Sequence, residues 1–150
     1  MIGVLVTIHL LAAAVWFGGS TALIFVGVPA IRVLEGDPRG QAMKELGLRW
    51  RPIGYGALLV AALTGIALAQ HDWRHTTSFQ VVFWVKVVLF GCLLVVSYVH
   101  NFVLGPRLQA EIKAGEEQRT RPRLVVVGWT SYALTCALPI LGVALDRLAS

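Results

Sequence analysis

The chain opens with a run, Ile2 to Ile31, that contains no charged residue and a single histidine, His9. An uncharged stretch of this length exceeds the roughly 20 residues that a helix needs to cross a bilayer. An ionisable side chain at membrane depth is costly, so it usually faces the interior of a helix bundle and marks a place of function. His9 precedes Trp16-Phe17-Gly18-Gly19 by one heptad. The rest of the chain is expected to supply what His9 faces.

Three more apolar segments follow, over residues 53–69, 81–104 and 124–145, each long enough to span as a helix. The composition agrees: 57% of residues are hydrophobic, 14% are charged and the mean hydropathy is +0.72. Soluble domains carry nearer half and a quarter. The expected fold is all-α, an integral membrane four-helix bundle forming one domain over 1–150 with spans at 2–31, 53–69, 81–104 and 124–145. No Lys or Arg precedes Arg32, so the first run lacks the basic start of a cleaved signal peptide and is read as retained. Cys92 and Cys136 both fall inside spans and read as small buried apolar residues.

The net charge of +5 is unevenly placed. Arg32, Arg39, Lys44, Arg49 and Arg51 lie between spans one and two, and Arg107, Lys113, Arg119, Arg121 and Arg123 between spans three and four. The second connection holds only Arg74 and the C-terminus only Arg147. By the positive-inside rule the two basic connections are cytoplasmic, which makes the topology N-out/C-out. That accounts for the basicity, and no nucleic acid partner is needed; the partner is the lipid bilayer. Asp37-Pro38 reads as an N-cap followed by proline at the first helical position, opening a short cytoplasmic surface helix to about Leu48. Trp50, between Arg49 and Arg51, reads as an interfacial anchor.

Within the spans, Ala57, Ala61 and Gly65 recur every four residues on one face of span two, as close helix packing requires, and Gly19 and Gly27 offer the same in span one. In span three, Lys86, Leu93 and His100 recur every seven residues with Ser97 one turn before His100; two heptads drift only about 40°, so these residues share a face. At 1.5 Å per residue, His9 and Lys86 each lie about 10 Å below the outer ends of their spans, and His100 lies roughly 30 Å down, near the cytoplasmic side. His9 and Lys86 are therefore expected at one depth in the outer half, with Trp16, Trp84 and the outer connection as walls. That connection carries His71 and His75, which a helix would place on one face. In span four, Pro139 leaves a carbonyl near Thr135 without its donor; Tyr132 and Thr135 either line a cavity or satisfy that carbonyl.

These residues resemble a four-helix membrane superfamily that includes the copper-resistance CopD domain and the HemJ-type protoporphyrinogen oxidases. The matching pieces are His9–Gly19 (HLLAAAVWFGG), residues 49–68 (RWRPIGYGALLVAALTGIAL) and Phe83–His100 (FWVKVVLFGCLLVVSYVH). The HemJ resemblance implies a haem-b protein of a prokaryotic-type inner (cytoplasmic) membrane, with His9 as a haem ligand and Trp84 and Lys86 as functionally important, the catalytic candidates. The sequence departs from it after the tryptophan of span one, where GSTALIFVGVPAIRV replaces a basic and aromatic continuation, and in the Val85 that separates Trp84 from Lys86. The CopD resemblance implies copper uptake or tolerance, with His9, His71 and His75 as a metal-binding trio at the outer face.

The expected function is that of a haem-b-binding, redox-active membrane protein. Its task is electron transfer to or from quinone, or porphyrin chemistry of the porphyrinogen-oxidase kind; whether it is an enzyme stays open. The cofactor-binding candidates are His9, Trp16, Gly19, Lys86, His71, His75 and His100. Copper binding through the outer histidines and a purely structural accessory role are the alternatives, and a homo-oligomer is left open.

Overall fold

Four long helices make up the described residues of this computed structural model, 2–71 and 77–149, with residues 37, 145, 146, 148 and 149 described by backbone alone. They are α1, Ile2–Arg32; α2, Asp37–His71; α3, Thr77–Ala114; and α4, Thr120–Ala149. There is no strand among the described residues. Each helix contains a stretch long and apolar enough to cross a membrane. The chain divides into two compact units, Met1–Trp73 and Arg74–Ser150. Each is a helical hairpin, described in turn below.

In the first hairpin, Gly36 sits at φ +65° between α1 and α2, a left-handed conformation that glycine adopts without penalty. The helices run antiparallel: Gly27 faces Leu46, Gly19 faces Trp50, and His9 faces Thr64 and Gly65. Ala12, Trp16, Ala57, Leu58 and Thr64 form the buried seam. The helix expected from Pro38 to Leu48 forms, but it is no separate surface element; it runs unbroken through Pro52 into span two. Proline at that position removes only one donor, the one that would serve the Leu48 carbonyl. Trp50 and Leu46, packed on glycines of α1, hold this part of α2 against its neighbour. A capping role for the Asp37 side chain falls outside the described residues.

In the second hairpin, α3 ends where Gly115 turns left-handed at φ +66°, with the Glu116 N–H returning to the Glu111 carbonyl at 3.0 Å. The Glu111 carboxylate then accepts from the backbone N–H of Thr120 at 3.1 Å and from its hydroxyl, capping the first turn of α4. The seam is built from Phe79, Leu93, Ser97, Leu104 and Thr135, and Leu93 and Ser97 are fully enclosed. Ser97 and Ser131 share a hydrogen bond of 2.9 Å across the helices. The seven-residue stripe on α3 is thus the face turned to α4: Lys86 lies against Gly142, Ser97 against Ser131 and His100 against Gly128. Leu93→Ala opens a void at the centre of this stripe. Lipid lowers the transfer cost of the lost methyl groups but not the lost packing, so about 2 kcal/mol of destabilisation is expected in detergent unfolding.

Both odd-numbered helices widen to π geometry just before a proline. In α1 the segment is Leu23–Gly27, ahead of Pro29; in α3 it is Val99–Leu104, ahead of Pro106. A helical proline clashes with the carbonyl four residues earlier. Here those carbonyls belong to Phe25 and Phe102, inside the two π segments, and the wider turn accommodates the ring without ending the helix. For this reason α3 continues to Ala114 rather than stopping at Leu104. Pro139 is likewise tolerated inside α4. Thr135 does not satisfy the carbonyl that Pro139 vacates, which is its own; its hydroxyl donates to Ser131 O at 2.9 Å.

Candidate functional site

His9 stands in the first third of α1, where its ring lies over Gly65 of α2: a Cβ added there would sit 3.2 Å from His9 Cε1 and 3.6 Å from Nδ1. Glycine leaves the imidazole its place in this seam; a Cβ would press it by a few tenths of an ångström. The ring is fixed further by Thr64, whose Oγ1 lies 2.9 Å from His9 Nδ1. The Thr64 hydroxyl proton is already committed, donated to the Val60 carbonyl at 2.7 Å and shared with the Ala61 carbonyl at 3.3 Å. Thr64 therefore accepts from His9, so Nδ1 carries the proton and Nε2 is the basic nitrogen. A histidine whose other ring nitrogen is held by a hydrogen bond, with tautomer and orientation set, has the arrangement used by metal-ligating histidines.

Further along α1, one heptad from His9, Trp16 is buried and begins an aromatic cluster. Its ring centroid is 6.1 Å from that of Trp50 and 6.3 Å from that of Tyr55. Trp50 is wedged between Gly19 and Gly54; a Cβ on Gly54 would meet Trp16 at 2.9 Å and Trp50 at 3.0 Å. One expectation changes here. Trp50 is an interhelical wedge, and Gly19 makes room for an indole where close approach of two backbones was expected. Trp16 and Gly19 belong to this cluster.

His71 is the last residue of α2, exposed, seven residues beyond Thr64 and so roughly 10 Å further along the axis. His75 lies outside the described residues. Among the described residues no three His, Cys, Asp or Glu side chains gather as a metal ion would need. In the second hairpin, Lys86 Nζ lies 3.4 Å from where Gly142 would carry a Cβ. Trp84 is 58% exposed on another side of α3, in an edge-on contact with Phe83 at 5.5 Å, so it does not share the Lys86 face. His100, in the π segment, sits on Gly128, with Cε1 3.0 Å from its Cβ position. Thr64 is the residue that sequence reasoning missed. Its signal was a hydroxyl immediately before Gly65, the last member of the small-residue face.

The family model for a domain of unknown function, DUF4149, matches residues 11–117 of the chain. The chain is also 25% identical over 131 residues to the inner membrane protein YebZ of Escherichia coli (strain K12), a match that covers 85% of this chain and 42% of that protein. The chain thus spans less than half the length of this curated relative. No solved structure matches it. With four helices able to cross a bilayer and an inner membrane relative, the protein is a multi-pass protein of the inner membrane. The match from Leu11 to Glu117, which takes in α1 from Leu11 onward and all of α2 and α3 but leaves His9 outside, shows that the chain belongs to the DUF4149 family.

Proposed function

We propose that this protein binds haem b through His9 and uses it for electron transfer to or from a membrane quinone, or for porphyrinogen oxidation. The observation that carries the reading is the Thr64 contact: a membrane-embedded imidazole is oriented through Nδ1 by a threonine hydroxyl whose own proton goes to the Val60 carbonyl, and Nε2 would be its ligating nitrogen. Neutral histidine is a common axial ligand of haem iron. The haem supplies the one-electron chemistry when bound; the chain supplies the nitrogen, its orientation and an apolar setting. The resemblance of the first and third spans to HemJ-type proteins supports the same reading. Copper binding through His9, His71 and His75 is the second reading; His75 lies outside the described residues, and metal analysis of the purified protein separates it from haem binding.

The test is an ultraviolet-visible spectrum of protein purified from haem-replete cells, oxidised and reduced. A Soret band that sharpens on reduction is expected; a colourless protein would sink the proposal. Thr64→Val keeps the shape of the side chain but removes the acceptor of the Nδ1 proton. Loss of such a supporting partner weakens metal-site affinity by about 10- to 100-fold, and haem titration of the variant is expected to show a loss in that range.

A further inference from the structure

The two hairpins repeat one another in register. Phe25-Val26 and Pro29 recur as Phe102-Val103 and Pro106, Tyr55 recurs as Tyr132, and Gly65-Ile66-Ala67-Leu68 recurs as Gly142-Val143-Ala144-Leu145. Each is displaced by 77 residues, as from Phe25 to Phe102. The structure repeats with the sequence: both first helices widen to a π segment at this proline, and both units are hairpins of comparable length. The same displacement carries His9 onto Lys86 and Gly65 onto Gly142. In each hairpin the first of these side chains lies over the second: His9 Cε1 at 3.2 Å from the Gly65 Cβ position, Lys86 Nζ at 3.4 Å from that of Gly142.

What differs between the copies is informative. Hairpin one supplies Thr64 to hold the imidazole, and the corresponding residue in hairpin two is Leu141, which offers the ammonium nothing. Among the described residues Lys86 makes no hydrogen bond or ion pair. No Asp or Glu occurs in residues 77–110 or 120–145; Asp146, four residues beyond Gly142, is described by backbone alone. A lysine at membrane depth is costly. An anion at Nζ is what offsets such a cost.

We propose that Lys86, seated over Gly142 as His9 is over Gly65, is an oxyanion-binding position of the second hairpin, taking a carboxylate or phosphate carried on an apolar body. A bare inorganic anion does not fit the setting, because the surrounding surface of α3 and α4 is apolar: Val85, Val88 and Val143 are all exposed. This site does not depend on haem binding at His9.

The chain has three lysines, Lys44, Lys86 and Lys113, so reductive ¹³C-methylation, which keeps the charge, gives three lysine signals and one from the N-terminus. Lys86→Arg assigns the signal. In maltoside micelles, which carry neither carboxylate nor phosphate, oleate is expected to shift the Lys86 signal saturably while Lys44 and Lys113 serve as references. Methyl oleate, which lacks the charge, is expected to bind about tenfold or more weakly, the size of one charge-assisted hydrogen bond. A shift produced instead by added phosphatidylglycerol identifies a lipid phosphate as the source and sustains the site. No shift with either anion overturns the proposal, and so does an oleate response that appears only in Asp146→Asn. A protein without a Soret band but with the oleate shift would lose the haem reading and keep this one.

Discussion

His9→Ala abolishes the Soret band of protein purified from haem-replete cells. The expected loss of haem affinity is at least about 100-fold, beyond the 10- to 100-fold attached to a supporting partner such as Thr64. The variant remains a fair test because its structural cost is small. The hydrogen bond between His9 and Thr64 is worth about 1 kcal/mol net, and the vacated space lies over a glycine. Thermal melting of the two proteins in the same detergent therefore stays close while the spectra part. Added imidazole restores absorbance if the missing group is the ligand. Copper bound stoichiometrically by a colourless wild type and lost from His9→Ala would favour the copper reading. Unchanged spectra and metal content in the variant would leave His9 a packing residue.

How much of this site could be read from the sequence follows from what each feature depends on. Span positions depend on hydropathy over a long window, and all four were legible. The stripe of Lys86, Leu93, Ser97 and His100 was legible because two heptads hold one face; Leu93 and Ser97 are the most enclosed residues of α3, and Lys86 and His100 lie on glycines of α4. The partner of His9 was not, because antiparallel register is set by packing along the whole hairpin. A one-turn slip would have put Val60 or Leu68 opposite the imidazole in place of Thr64. The wedge made by Trp50 was hidden for a related reason. Its flanking arginines gave it the local pattern of an anchor, and only the register reveals two glycines, Gly19 and Gly54, cut to receive the indole. The continuation of α2 through Pro52 and of α3 through Pro106 was hidden because proline stops a helix only where nothing re-accommodates its ring.

The two hairpins also show which side chains are framework and which are chemistry. Features kept at the same displacement, the Phe and Pro around each π segment and the Gly-Ile/Val-Ala-Leu of each second helix, build the same antiparallel pair twice. Features that differ include apolar exchanges such as Trp16 for Leu93 and Gly19 for Val96, and also the polar positions: His9 and Lys86 on the first helices, Thr64 against Leu141 on the second. Apolar framework can be exchanged among similar shapes at little cost. A titratable group at membrane depth is retained against a cost, and the two hairpins hold different ones on the same glycine seat.

The largest effect on stability is expected at Gly19. A Cβ there would fall within the Trp50 ring, against Cη2 and Cζ3. The indole has nowhere to go: a Cβ on Gly54 would already be 3.0 Å from its Cε2 and 3.1 Å from Nε1, and Trp16 closes the cluster at 6.1 Å between centroids. Gly19→Val must therefore expel Trp50 or part the helices, and overpacking of this kind costs about 3 kcal/mol, the upper end of its usual range. Gly18→Val is the control, since nothing lies within 4 Å of a Cβ at that position; it should melt with the wild type. The cause is separable from helix propensity by a double mutant. Trp50→Leu alone destabilises by losing the wedge, but in its background Gly19→Val should cost less than about 1 kcal/mol, because the atoms it collides with are gone. Tryptophan emission followed through detergent denaturation reads the wild type and all four variants. Equal penalties for Gly19→Val with and without the indole would show that Trp50 is not what Gly19 accommodates.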